Sequence, residues 1–489
     1  MRNVSSDKTD FSFSRSRRTG YSWRSPLARL YVAPLILWLL LDCVPRIFQG
    51  DSISYLSTGF GSWMPPDRSW EFGILVNLLL RHTHGLSAFI LIQVGVLVVL
   101  VEGARLIFPQ TPAGLAGWAL AAALVALDPL IEIYTRFYLS DFLAMALFLA
   151  ATAGLVLAFR TDAVRGARVV ALVLTFLSIL GAIILRVAYF PIMLLTVVLA
   201  TLLMWRHLTR GMVIALVLAA CASILSVGAI TGANRVVFAK QFPGETFVNK
   251  LSGVFLAGVF APALKQVDFR NAGIPITSEE FEKLDLSDYE KRDKQVWGHH
   301  HTDLQQLIED NLHVAGAYNT TVNQAAWRLV MSAVRRDPLS FAKVYFVDLF
   351  DFAKPQQWRS HAPIEMGLTR DLPSNFVAFV NHDSVLKITS NITKVRSALI
   401  QAYEAVAGLY PLQLLLGFLA GLVLLIRTGP RPCVVLPFAA FCADLTAAPL
   451  YENYLIARYI LATVFLGYLL VGMAVSSFLE KRAAGHQIA

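Results

Sequence analysis

Charged side chains stand in unusual places in this sequence. Asp51 and Asp141 lie at the ends of long apolar runs, and Arg186 interrupts one as Leu185-Arg186-Val187. Arg458 does the same as Ala457-Arg458-Tyr459, and Glu452 stands shortly before it. Charge beside hydrocarbon is costly, so ionisable groups at such positions are candidates for function. Guanidinium groups grip phosphate oxygens at two points. A carboxylate beside them can take the proton from an attacking hydroxyl. Two acids and two guanidinium groups gathered on one membrane face would suit a phosphate-bearing lipid substrate. Each residue also has a plainer role. Asp51 suits the N-cap of a short surface helix. Asp141, with Ser140, suits a helix start through the dipole. Arg186 and Arg458 could reach out to lipid headgroups. Tyr55 follows Asp51 at i+4 spacing and so shares a helix face with it, where packing is the commoner role of an interfacial aromatic.

Helices must bring these residues together, and composition says which kind. Of 489 residues, 56% are hydrophobic and 15% charged, against about 25% charged in ordinary soluble proteins. Mean hydropathy is +0.58. A disordered chain, a secreted disulfide scaffold and a conventional cytosolic enzyme are excluded. Cys43, Cys221, Cys433 and Cys442 sit in apolar runs with neither metal spacing nor a disulfide framework. Apolar runs cover 27–48, 86–108, 113–134, 142–159, 169–185, 188–205, 212–232, 409–426, 433–450 and 455–478. A bilayer crossing takes roughly 20 helical residues, and the expected fold is an all-α polytopic membrane protein with about ten transmembrane helices. The expected division is a basic cytoplasmic tail (1–26), an N-terminal membrane module (27–232) with a first outer loop (49–85), a periplasmic helical region (233–408), a C-terminal membrane module (409–480) and a cytoplasmic tail (481–489). Arg29, Arg105, Arg160, Arg206, Arg427 and Lys481 then fall on the inner side, as the positive-inside rule requires. Both termini are expected inside and the charged candidates outside. The net charge of +9 reports orientation and contact with anionic lipid, not nucleic acid.

Within the intervening region, 251–264 is apolar but short, which suits an interfacial or re-entrant helix. Thr277 and Glu280 have capping-box spacing. Residues 319–336 have helical periodicity with Ala325, Leu329 and Val330 on one side, and Asp337-Pro338 restarts a helix. His299-His300-His301 reads as a solvated loop rather than a metal site, because adjacent histidines do not readily face one ion. Arg136 and Glu132 read as loop residues. There is no internal repeat and no Gly-rich phosphate loop, so no soluble nucleotide is implied as donor.

Several short pieces, taken in order, resemble the GT-C class of polyprenyl-phosphate-sugar-dependent glycosyltransferases, which includes the protein O-mannosyltransferases and the aminoarabinose transferases. They are Gly50-Asp51-Ser52-Ile53-Ser54-Tyr55 after the first run, Tyr138-Leu139-Ser140-Asp141 opening a span, Leu185-Arg186-Val187-Ala188-Tyr189-Phe190-Pro191 between two spans, Arg336-Asp337-Pro338 before an amphipathic helix, and Arg458-Tyr459 opening the last span. The pieces touch most of the membrane part and little of the intervening region. The sequence departs from the family where Ser52 follows Asp51 in place of a second acid, and where no Arg-Pro pair follows the fifth run. The resemblance implies an integral membrane, inverting glycosyltransferase that moves a sugar from a polyprenyl-phosphate donor to a glycan, lipid or protein acceptor at the periplasmic face of an inner membrane. It implies catalytic roles for Asp51 and Asp141, and substrate-binding roles for Tyr55, Arg186, Tyr189, Arg458 and Glu452. No cofactor is required, though some relatives use a divalent ion.

Two other classes compete. A lipid-linked saccharide transporter or flippase would place its charges near the bilayer midplane between repeated halves. A polysaccharide polymerase or ligase would use arginines in a large outer loop, for which Arg328, Arg335 and Arg336 are available.

Overall fold

The computed structural model describes residues 29–48, 51–60, 65, 69–83, 86–160, 165–241, 252–286, 300–313, 320–368, 371–382, 389–451 and 456–486. Among them every named element is helical, and the one extended pairing is an isolated bridge between Arg46 and Phe137. The first group comprises α1 (Val32–Leu41), α2 (Asp51–Phe60), α3 (Trp70–Thr83), α4 (Leu86–Ala104), α5 (Pro112–Leu127), α6 (Pro129–Tyr134), α7 (Asp141–Ala158), α8 (Arg165–Leu185), α9 (Tyr189–Met204) and α10 (Arg210–Gln241). The intervening group comprises α11 (Ser252–Val259), α12 (Gln266–Ala272), α13 (Ser278–Leu284), α14 (His300–Leu312), α15 (Thr320–Arg336), α16 (Pro338–Asp351), α17 (Pro355–Glu365) and α18 (Ser374–His382). The chain closes with α19 (Ala398–Val406), α20 (Tyr410–Thr428), α21 (Pro432–Ala447) and α22 (Leu461–His486), the last entered through a 3-10 turn, Ala457–Ile460.

Among the described residues, 8 helical stretches are long and apolar enough to cross a membrane: Ala88–Ile107, Asp141–Ala158, Arg165–Leu185, Tyr189–His207, Arg210–Val237, Ala398–Thr428, Pro432–Leu450 and Ala457–Ala484. Shorter apolar helices occupy Val32–Leu41, Trp70–Leu79 and Pro112–Leu127. The chain is thus an all-α, multi-pass membrane protein. Helices α7, α21 and α22 are the enclosed ones. The others keep large apolar side chains on their outer faces, such as Leu202, Leu225 and Ile426, as a lipid-facing surface requires. Where α5 crosses α22, Gly117 and Gly472 let the backbones touch: a Cβ on either would run into the other's carbonyl.

The first apolar run, 27–48, is not one continuous helix. After α1 the chain turns extended at Asp42, whose carboxylate accepts from the Val44 N–H at 3.2 Å. Pro45 follows, and Arg46 pairs its main chain with the Arg136 carbonyl (2.8 Å) and the Tyr138 N–H (3.0 Å). The segment expected as a first outer loop holds α2 and α3. In the short run at 251–264, Ser252–Val259 is helical. Val254, Ala257, Ala261 and Leu264 are buried in a separate apolar core with α12, α14 and α15. Arg336 locks that core, donating from Nε and Nη2 to Asp268 (3.0 and 2.8 Å) and from Nη2 to the Ala263 carbonyl (2.8 Å). The capping box at Thr277 and Glu280 is present, and Asp337 caps α16 through the Ser340 N–H.

Candidate functional site

The first turn of α2 is stitched to the chain entering α7. The Ser52 hydroxyl accepts from the Phe48 N–H and donates to the Tyr138 carbonyl, both at 2.8 Å. The hydroxyls of Tyr55 and Ser140 share a hydrogen bond of 3.0 Å. Asp51, at the start of α2, and Asp141, at the start of α7, therefore belong to one stitched unit although they are far apart in sequence. The tyrosine ring packs on Phe72 at 4.8 Å.

Against this unit stands the 3-10 turn before α22. Arg458 donates from Nη1 to Asp51 Oδ2 at 2.7 Å, and its guanidinium carbon lies 5.1 Å from the ring centres of both Phe48 and Tyr459. Arg186, in the turn between α8 and α9, forms an ion pair with Asp141 and places its guanidinium carbon 4.4 Å from the Tyr459 ring centre. Both guanidinium groups therefore converge on a single aromatic ring, each backed by a carboxylate. Tyr451 supports the arrangement: its hydroxyl donates to the Ala188 carbonyl at 2.7 Å, and its ring lies 5.5 Å from that of Tyr459.

Burial within the two ion pairs is staggered. The Arg458 side chain is 3% exposed and Asp51 17%, whereas Asp141 is 2% exposed and Arg186 16%. One acid and one cation thus face outward, each with its counter-ion behind it. That pattern presents a proton acceptor and a phosphate grip side by side. Tyr189 is buried against Phe148 at 5.1 Å. With Ala151, Ile179, Ala182 and Met193 it borders an apolar gap too small for a water molecule. Glu452 and His299 lie outside the described residues, and His300 and His301 fall in α14. Among the described residues, no group of three His, Cys, Asp or Glu side chains is placed to hold a metal ion.

The chain is similar to ArnT from Cupriavidus metallidurans. The crystal structure of that protein bound to undecaprenyl phosphate matches at 16% identity and a TM-score of 0.32, and its apo form at 17% and 0.33. Each match covers 91% of this chain and 77% of the other. At TM-scores of this size the similarity adds nothing to the roles of individual side chains. No protein-family model matches, and neither does any curated protein.

One expectation from sequence needs correction: Glu132 is not a loop residue but lies in α6, and it forms a fully buried i,i+4 ion pair with Arg136 in the turn that follows. The Arg136 guanidinium also donates to the Asp42 carbonyl at 3.3 Å. Arg336, named for the polymerase alternative, is paired with Asp268. Two acids of the site region have no counterpart in the sequence reading. Glu365, at the end of α17, accepts from the Arg458 N–H at 2.9 Å and from the Tyr134 hydroxyl. Burial pushes its carboxyl above the ordinary range, while the Tyr134 hydroxyl, the Ala457 and Arg458 N–H groups and the Arg458 charge pull it back. Asp444 lies within α21, and its Oδ2 accepts from the Thr463 N–H (2.9 Å) and hydroxyl (2.8 Å). An acid inside a membrane span is itself a signal. Asp444 carried that signal, and Glu365 carried none.

Proposed function

We propose that the chain is an integral membrane glycosyltransferase of the GT-C type that takes its sugar from a polyprenyl-phosphate donor. The observation that carries this reading is the convergence of Arg186 and Arg458 on Tyr459, with Asp51 and Asp141 as their counter-ions. In this mechanism the donor's phosphate exchanges with the carboxylates for the two guanidinium groups, which neutralise the charge that develops as the lipid phosphate leaves. Asp51, freed from Arg458 on one oxygen, accepts the proton of the acceptor hydroxyl. The hydroxyl oxygen bonds to the anomeric carbon as the bond from that carbon to the phosphate oxygen breaks, so configuration inverts. Asp141 holds Arg186 and orients sugar or acceptor, and Tyr55, bonded to Ser140 beside Asp141, joins the donor-binding wall. Tyr189 meets the start of the lipid chain, and Glu452 contributes to substrate binding. By the positive-inside pattern the site faces the periplasm. The sugar acceptor is a glycan, a lipid or a protein.

The test is sugar transfer from a radiolabelled polyprenyl-phosphate sugar by the full-length protein in nanodiscs. Loss of the catalytic base in Asp51→Asn should lower turnover by roughly 10²–10⁴-fold. Turnover unchanged in Asp51→Asn removes Asp51 from the chemistry. Movement of intact donor into liposomes without cleavage would instead mark a transporter.

A further inference from the structure

Glu365 and Asp444 share a feature that neither span packing nor ion pairing explains. Both are buried acids, 4% and 1% exposed, and both accept from main-chain N–H groups of the same short stretch. The Glu365 carboxylate takes the Arg458 N–H, with the Ala457 N–H also in reach. Asp444 takes the Thr463 N–H and its hydroxyl. The first N–H groups of a helix have no intrahelical acceptor, and here two carboxylates from distant elements supply one on either side of Arg458-Tyr459.

We propose that Glu365 and Asp444 are positioning residues that fix the Arg458-Tyr459 turn by its main chain, leaving the guanidinium to its substrate. This rests on the reading of Arg458 as a phosphate-binding residue. The geometry gives the clamp more than one consequence. Tyr459 is the ring on which Arg186 also stacks at 4.4 Å, so a rotation of the turn displaces both cations together. Glu365 belongs to α17, which is anchored by the Trp358 indole on the Phe352 carbonyl (3.1 Å) and by the Trp358 ring stacked on Tyr410 (4.8 Å). The intervening region thereby sets the pose of an arginine carried by the last span. Asp444 lies within electrostatic reach of Arg186 and Tyr189, so the second arm of the clamp borders the other half of the site.

The experiment measures binding of undecaprenyl phosphate to the full-length protein in nanodiscs by native mass spectrometry, together with amide hydrogen exchange of the peptide covering 456–463. Glu365→Ala and Asp444→Ala should each weaken binding about tenfold or more, as small displacements of a binding group do. Glu365→Gln and Asp444→Asn, which keep an acceptor oxygen, should stay within about threefold of the native protein. Exchange at 456–463 should rise in the alanine variants and stay near native in the amide variants. In transfer assays the alanine variants should raise KM for the donor more than they lower kcat. Where an alanine variant does not purify folded, Glu365→Met and Asp444→Leu, which likewise lack an acceptor oxygen, carry the same expectations. If Arg458→Gln abolishes binding while the alanine variants bind as the native protein does, the clamp is refuted and the phosphate reading survives. If Arg458→Gln binds normally, the phosphate reading fails, and exchange alone judges the clamp: unchanged protection in the alanine variants overturns it, and lost protection upholds it. Amide variants as damaged as the alanine variants overturn it as well.

Discussion

The two ion pairs of the site are graded in opposite directions, and this sets an order of mutational costs. In Asp51–Arg458 the cation is the enclosed member, 3% exposed against 17%; in Asp141–Arg186 it is the acid, 2% against 16%. Removing one partner takes the ion pair away from the other charge. A stranded charge in an enclosed position costs about 3–5 kcal/mol, whereas one that solvent or headgroups can reach costs about 1–3 kcal/mol. Arg186→Met, which strands Asp141, should therefore cost more than Asp141→Asn, by roughly 2 kcal/mol. Asp51→Asn, which takes the ion pair from Arg458, should cost more than Arg458→Met. Here the gap narrows to roughly 1 kcal/mol, because Phe48 and Tyr459 each lie 5.1 Å from the guanidinium carbon and continue to stabilise the cation. The assay is equilibrium unfolding of the purified full-length protein in mixed micelles, followed by tryptophan fluorescence, for the four single variants and the two pairwise doubles. Acid loss and arginine loss should rank oppositely in the two pairs. The same ranking in both pairs, or four equal costs, would refute the argument that burial grades these charges.

Three further outcomes follow from other parts of the molecule. Glu365 holds its proton more tightly folded than unfolded, so its contribution to stability is full below the ordinary carboxylate range and declines as pH rises through its raised value. Thermal stability of the native protein should fall across that window and Glu365→Gln should flatten the fall, whereas parallel curves would contradict the assignment. Gly117→Leu places a side chain where the Gly472 carbonyl lies; overpacking of about 1–3 kcal/mol or more should lower the unfolding midpoint, whereas an unchanged midpoint would show that α5 and α22 do not touch there. Arg336→Met leaves the buried Asp268 unpaired and should cost about 3–5 kcal/mol, read as faster amide exchange across 252–336. Binding of undecaprenyl phosphate should stay within about threefold of native, and a larger loss would give Arg336 a role at the site.

The sequence made the four central charges legible because each stands where lipid would make it costly. It could not show their pairing. Arg458 and Asp51 are 407 positions apart, and only tertiary packing sets α2 against the turn before α22. The periodic stretch at 319–336 and the restart at Asp337-Pro338 were readable because capping and periodicity are local. Residues 27–48 misled because apolar content alone does not distinguish a helix from an apolar extended segment, and the break is made by the Asp42 turn, Pro45 and the bridge from Arg46 to Phe137. Glu132 and Arg136 had i,i+4 spacing, a helix signal, but their full burial depends on α6 lying in the bundle. Asp444 was an acid inside an apolar run and was open to notice. Glu365 sits in polar sequence, and its burial arises only from Tyr134 and the Arg458 turn closing over it.

The central claim is that Arg186 and Arg458 bind one phosphate together. Its most direct test is a cryo-EM structure of the full-length protein in nanodiscs with undecaprenyl phosphate. The account predicts phosphate density within hydrogen-bonding distance of both guanidinium groups, with Asp51 released from Arg458 and facing the acceptor side. Phosphate density at any other position, with the Asp51–Arg458 and Asp141–Arg186 pairs intact, would contradict it.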